Sequence, residues 1–475
     1  MNKIAKTLVL LLALAHMLIA GYVMVNQLTH KAILNSAECL HAQFAYQAGQ
    51  GERLFGGYEI NVQPLHYTPM TFQLAGWFGR LWGYDIRAMR FVIAVFALLA
   101  FVVFWKIVFQ LTKDRWLAWV AVGLLCGIDV QSHWYVYLDA NLLHTFFALL
   151  AVFLILRDPT LKWSTVVLST FSLFACYWSK HTGLGYLLAG LFYFLIRDLR
   201  KGAAASLLGA LLVGGTALYF IRQPDSSFVP MLFSHGHDPL RWEWFWNPVL
   251  FPEYLGRFGI FFAVMLAGFV AYNGFHIKKW LDPFFVFLGA AAVVGTITRL
   301  KYGSGPTQAI FFYALLIACG VWFLQRFWQD KQLGSALLLS LLAIQCAALF
   351  HSVSAAIITP EDDARFQRVL DILATPGKKT FYNNHGFMNV LVGKPPVTNV
   401  GLINRSDNIR KFYAQDPFDL VIIGVPLEDS SGFLYERLEK NYAPVQEIPQ
   451  DPRGPNQTLR YRMMVFQRKD QLPVR

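Results

Sequence analysis

Charge is scarce in this sequence. Only 15% of its 475 residues are Asp, Glu, Lys or Arg, against roughly 25% in a soluble globular protein. A soluble fold of this length would still need a charged surface over its core. A water-soluble enzyme is therefore excluded, and so is a disordered chain. Cysteine is scarce too. There are five, without a Cys-x-x-Cys spacing; Cys126, Cys176, Cys319 and Cys346 lie in or beside apolar blocks, and Cys39 lies in a polar loop. This supports neither a disulfide framework nor a zinc site. Internal repeats and low-complexity tracts are missing, and from Pro360 onward so are a Gly-rich phosphate loop and a nucleophile motif.

What is abundant is apolar. Hydrophobic residues make up 56% of the chain and mean hydropathy is +0.41, concentrated in long uncharged blocks. A spanning helix needs about 20 such residues, somewhat fewer inside a bundle. About eleven blocks qualify: Thr7–Val25, Phe91–Trp105, Trp116–Ile128, Ala140–Leu156, Trp163–Ser179, Thr182–Ile196, Gly202–Ile221, Phe258–His276, Pro283–Thr298, Tyr302–Gln325 and Leu333–Thr359. The expected fold class is an all-α polytopic membrane protein. The first block follows Lys3 and Lys6 as a signal peptide would, but its apolar core exceeds a signal h-region and no A-x-A site follows, so it reads as a retained span.

The excess of 41 Lys+Arg over 29 Asp+Glu gives +12, which on a soluble protein would suggest nucleic acid. Here the basic residues fall in alternate short loops (Lys113/Arg115, Arg157/Lys162, Arg197/Arg200/Lys201, Lys278/Lys279, Arg326/Lys331) and mark the cytoplasmic side. No nucleic-acid partner is expected. Eleven spans from a cytoplasmic N-terminus put the C-terminus outside, in a cell membrane taken as the bacterial inner membrane. Residues 1–359 form the membrane domain under this division, and residues 360–475 a small extracytoplasmic α/β domain. The latter is expected to hold helices at Ala364–Ala374, Asp407–Ala414 and Gly432–Asn441. Its strands are expected at Lys379–Tyr382, Asp419–Gly424, Pro444–Ile448 and Arg460–Gln467.

Function is then sought in the outer loops. The long segment from Leu28 to Arg90 carries Glu38 just past the first span, and Asp139 stands at the outer end of the fourth. A carboxylate at a membrane boundary is costly unless paired, solvated or used, and two on one face suit acid/base work on a hydroxyl. Lys180, Arg299 and Lys301 break the positive-inside pattern on the same face; an anionic ligand such as a lipid phosphate would account for them. Ser234–Asp238 (Ser-His-Gly-His-Asp) could be taken for a metal loop but reads better as structural, and Arg241–Trp246 reads as an interfacial aromatic belt.

Taken together these residues resemble the GT-C superfamily of polyprenyl-phosphate-sugar-dependent glycosyltransferases, in the branch of protein O-mannosyltransferases and the lipid A aminoarabinose transferase. The carriers are Glu38 after the first span, Gly49–Phe55, Tyr67-Thr68-Pro69, Arg90 opening the second span, Asp139, Lys180–Gly183 and Lys301–Ser304. The chain departs from the family where a paired Asp-Glu is usual, having Ala37-Glu38, and where a Lys precedes a Pro pair, having Tyr67-Thr68.

The resemblance implies an inverting transfer of a hexosyl or pentosyl group from a polyprenyl-phosphate donor to a hydroxyl on a glycan, lipid or protein acceptor. Glu38 is then the expected general base, with Asp139 in support. Lys180, Arg299, Lys301 and Arg90 are the expected phosphate ligands, and His66, Tyr67 and His181 the expected acceptor or sugar contacts. No metal is required, although an acid pair could bind a divalent ion. The competing expectation is a transporter or flippase of lipid-linked sugars, which should show inverted repeats and helices broken near the midplane.

Overall fold

The computed structural model describes residues 3–33, 36–56, 65, 67–128, 136–230, 240–273, 276–301, 306–330, 334–350, 353, 356–382, 386–397, 407–415, 417–425, 438–449 and 462–472. A helix occupies each of the eleven apolar blocks. In chain order the helices are α1 (Lys3–Thr29), α2 (Ser36–Gln50), α3 (Met70–Leu81), α4 (Ile86–Thr112), α5 (Arg115–Cys126), α6 (Asn141–Arg157), α7 (Trp163–Ser179), α8 (Gly183–Arg197) and α9 (Leu199–Ile221). There follow α10 (Gly256–Gly268), flanked by π-helical turns at Phe245–Leu255 and Phe269–Asn273, then α11 (Pro283–Arg299), α12 (Ile310–Gln329) and α13 (Ser335–Ala348). Five are long and apolar enough to cross a membrane on length and composition alone. The protein is a multi-pass membrane protein.

Helix α1 shows how the bundle is assembled. Val9, Ala13, His16, Ala20, Val23 and Gln27 recur at helical spacing and are buried, whereas Leu8, Leu11 and Leu18 are exposed. In a membrane the apolar exterior costs nothing, so association rests on close packing of small residues. Accordingly Gly123 of α5 sits against Ala13, where a Cβ would come within 2.5 Å of that residue's own Cβ. Helix α12 is apolar and buried on nearly every side, the signature of a central helix.

Two sequence expectations change here. The segment from Leu28 to Arg90 contains two helices, α2 and α3; α2 is rich in polar residues (Glu38, His41, Gln43, Gln47) and α3 is only 12 residues long, so both escape a hydropathy reading. The last block stops being helical at Ala348. Beyond it the backbone runs against the end of α1, where Asn26 exchanges two hydrogen bonds with Ile358 and the Gln27 amide donates to the Ala356 carbonyl.

The C-terminal part begins with α14 (Pro360–Leu373), opened by a capping box between Thr359 and Asp362. Strand β1 (Thr380–Tyr382), α15 (Phe387–Leu391), α16 (Asp407–Ala414), β2 (Leu420–Val425), β3 (Tyr442–Ile448) and β4 (Arg462–Arg468) follow. The sheet order is β1-β2-β4-β3, with β1 parallel to β2 and the other pairs antiparallel. Alternation along β2 divides its side chains between two faces. Val421 and Ile423 pack with Phe381 and Tyr413, while Leu420 and Ile422 join the core shared with the bundle. Most of the expected helix Gly432–Asn441 lies outside the described residues.

Candidate active site

Glu38, Arg90, Asp139 and Lys180 gather where α1 and α7 end and α6 begins. Glu38 lies in the first turn of α2 and Arg90 in the second turn of α4. Arg90 Nε donates to Glu38 Oε1 at 2.8 Å, and Nη2 donates to Oε2 at 2.7 Å. Its remaining N–H groups go to the carbonyls of Gln27 (2.9 Å), His30 (3.1 Å) and Ala32 (2.9 Å). All five guanidinium donors are therefore used inside the protein, and both side chains are buried. In this arrangement no Arg90 donor is left over for the phosphate role expected of it. Its planar fork matches a carboxylate, and the last carbonyls of α1 need donors that the helix cannot supply.

Asp139 is half-buried just ahead of α6. It accepts the Ala140 N–H through Oδ1 and the Asn141 amide through Oδ2. Lys180 stands in the turn between α7 and α8, and its Nζ donates to Asn141 Oδ1 (2.6 Å) and to Gln308 Oε1. The Asn141 amide also reaches Thr307 Oγ1 at 3.1 Å. A polar chain thus runs from Asp139 through Asn141 to Lys180 and Gln308. Lys180 is buried, and among the described residues it has no carboxylate in hydrogen-bond contact. Burial pushes its amine down from 10.5 to about 8, and the negative charge of Asp139 opposes the shift.

Tyr67 closes one side of this site. Its ring lies 6.0 Å from Lys180 Nζ, stacks on His181 (6.2 Å between centroids, 24°) and meets His41 edge-on at 5.5 Å. The next residue, Thr68, is pinned to the Tyr177 carbonyl at 2.7 Å. His41 Nδ1 is 2.6 Å from the Leu138 carbonyl, and burial pushes the imidazole down, favouring the neutral ring that donates there. The Tyr137 phenol is held well above its usual range by burial, with Asp139 and Glu38 adding to the effect. Both carboxylates therefore bear on one half-buried ring, although they come from segments a hundred residues apart.

The other expected residues are placed differently. Arg299 is buried and paired with Glu253, through Nε–Oε2 at 2.9 Å and a second bond from Nη2 to Oε1; Tyr313 donates to the same acid at 3.3 Å. It belongs to a second cluster. Lys301 is half-buried in a bridge to Leu240. His66 and the loop Ser234–Asp238 lie outside the described residues. Sequence reasoning missed Asn141, Gln308, His41 and Glu253. Of these only Glu253 carried a signal, as an acid inside an aromatic block, where pairing is the rule.

Among the described residues no group of three or more His, Cys, Asp or Glu side chains is placed to hold a metal. The oxygens of Glu38 and Asp139 are engaged by protein donors, so these two acids do not form a ready divalent cage.

No family model matches the sequence, and no curated protein matches it significantly. Solved structures do match. ArnT from Cupriavidus metallidurans in the apo state is 14% identical with a TM-score of 0.58, over 96% of this chain and 97% of that one. The archaeal oligosaccharyltransferase AglB from Archaeoglobus fulgidus, in complex with an inhibitory peptide and a dolichol-phosphate, is 13% identical with a TM-score of 0.53, over 97% and 75%. An A. fulgidus oligosaccharyltransferase complex with Zn and sulfate is 12% identical with a TM-score of 0.54, over 93% and 72%. Over nearly its whole length, therefore, this chain shares the fold of ArnT and of the archaeal oligosaccharyltransferases.

Proposed function

We propose that the protein is a glycosyltransferase that moves one sugar from a polyprenyl-phosphate donor to an acceptor hydroxyl at the extracytoplasmic face of the inner membrane. The observation that carries this reading is Lys180, a buried ammonium whose hydrogen-bond acceptors are the neutral side-chain carbonyls of Asn141 and Gln308. A phosphate leaving group would supply the missing anion, and its charge grows in the transition state, where Lys180 is most useful. The dolichol-phosphate bound in the AglB structure supports a lipid-linked donor here.

The geometry favours a redistribution of roles. Both oxygens of Glu38 accept from Arg90, which leaves the acid tied to α4 rather than turned toward an acceptor hydroxyl. Asp139 is more open, and among the described residues its hydrogen-bond donors are the neutral Ala140 N–H and Asn141 amide, so we assign it the acceptor proton. Glu38 and Arg90 hold α2 in register with α1 and α4. Tyr67 and His181 offer an aromatic wall for the sugar. A single displacement assisted by Asp139 would invert the anomeric centre. No step is routed through a metal. Lipid A or lipopolysaccharide, another polysaccharide and protein are the acceptor classes that fit a hydroxyl at this face, with the C-terminal α/β domain (360–475) outside the membrane beside it.

The test uses the lipid product, which is independent of the sugar. In nanodiscs, native mass spectrometry should show a polyprenyl phosphate binding at least about tenfold more tightly than the matching polyprenol, the order expected of a charge-assisted bond. The difference should vanish in Lys180→Ala. Equal binding of phosphate and alcohol by the unmodified protein would contradict the proposal.

A further inference from the structure

Between α1, which ends at Thr29, and α2, which starts at Ser36, the described residues 30–33 form a short non-helical strap. Arg90 holds its acceptor side through the carbonyls of His30 and Ala32, together with Gln27 of α1. The donor side is held by Asp363, a residue of α14 in the C-terminal part. Oδ1 of Asp363 accepts the backbone N–H of Lys31 (3.2 Å) and of Ala32 (3.0 Å), and Oδ2 lies 2.6 Å from His30 Nδ1. One carboxylate thus fixes the strap from a segment more than 300 residues away.

From the strap the contacts continue to the site without a gap. Arg90 grips Glu38 in the first turn of α2. One turn later His41 holds the Leu138 carbonyl, the neighbour of Asp139. The C-terminal part also touches α2 directly. The buried Cys39 thiol lies close to the backbone of Phe387 and Met388, and a Cβ on Gly386 would come within 2.8 Å of Gln43 Oε1.

We infer that Asp363 is a positioning residue: by holding the strap it keeps Arg90, Glu38 and α2 in the arrangement that places Asp139. Only its activity arm rests on the function proposed above.

The test uses the full-length protein in nanodiscs and compares Asp363→Ala with Asp363→Asn. Asparagine keeps an oxygen for the two strap N–H groups, and alanine does not. Hydrogen exchange of residues 30–33 and of the first turn of α2 should accelerate about tenfold or more in Asp363→Ala, because those amides lose their acceptor or its support. In Asp363→Asn exchange should stay near the unmodified rate. Turnover should follow, with kcat falling about tenfold to a hundredfold in the alanine variant, the cost of a small misplacement. KM for donor and acceptor should stay within about twofold, and the asparagine variant should recover most of the loss.

Unchanged strap exchange in Asp363→Ala overturns the inference. So does a loosened strap with an unmoved α2, or an asparagine variant as damaged as alanine. If Asp363→Ala does not insert, His30→Ala replaces it. That variant leaves both backbone bonds in place and should hold strap exchange within about twofold, and a larger rise counts against the assignment. Failure of the unmodified protein to transfer any sugar would sink the proposed function while leaving the exchange result to decide this point.

Discussion

Arg90 and Glu38 form a two-point ion pair, 2.8 Å and 2.7 Å, at the junction of α1, α2 and α4, and neither side chain is more than 3% exposed. Breaking one half of a buried pair leaves an uncompensated charge, which typically costs about 3–5 kcal/mol. Glu38→Gln should therefore lower thermal stability in detergent by that order, and Glu38→Gln combined with Arg90→Gln should recover part of it. A Glu38→Gln protein with full stability and no transfer would return the role of base to Glu38.

Lys180 gives a pH prediction with a definite sign. Its amine is pushed down from 10.5 to about 8, so it is a cation below pH 8 and loses its charge as pH rises through that value. Affinity for polyprenyl phosphate should fall by about tenfold per pH unit above 8 if the cation alone binds. Lys180→Arg, charged throughout, should lack this limb. An unmodified affinity that is flat from pH 7 to 9.5 would remove Lys180 from phosphate binding.

Arg299 and Glu253 offer a contrast. Arg299→Ala strands a buried acid and should cost about 3–5 kcal/mol of stability, with donor affinity little changed. Thermal unfolding and polyprenyl-phosphate binding measured on the same sample separate the two effects. A selective loss of donor binding would place Arg299 among the phosphate ligands after all.

Removing divalent ions should leave transfer intact. Activity after EDTA treatment is expected within about twofold of the untreated rate, since the acids at the site are already engaged by protein donors and several kcal/mol of metal assistance would otherwise be lost. A loss restored by adding back a divalent ion would show that Asp139 or Glu38 exchanges its present partners for metal.

How far the sequence disclosed this arrangement differs by element. The bundle was legible because a membrane demands long apolar segments, and helices lie at all eleven blocks. Asp139 and Lys180 stood out as charges at the ends of such blocks, and β2 as an apolar run between turn formers. What composition cannot carry is pairing. Nothing local in Arg90 says that its partners are Glu38 and three carbonyls rather than a phosphate, because the match is geometric and spans 52 residues. Asn141 and Gln308 are uncharged, so hydropathy gave them no weight, yet they position the Lys180 ammonium. Hydropathy likewise gives little weight to α2, which is rich in polar residues, and to the short α3. The insertion of β4 between β2 and β3 is a choice of strand order that strand-forming residues alone do not reveal.

Attachment of one cell-envelope sugar through Asp139 and Lys180, as proposed, is checked by mass analysis of the envelope from cells lacking the protein, complemented in turn with the unmodified chain, Asp139→Asn and Lys180→Ala at equal membrane levels. A single sugar should be lost on deletion and restored by the unmodified chain. Asp139→Asn should fail to restore it, since loss of a general base removes a factor of about 10²–10⁴, and Lys180→Ala should restore little. An envelope unchanged by deletion, or a sugar restored in full by Asp139→Asn, would contradict it.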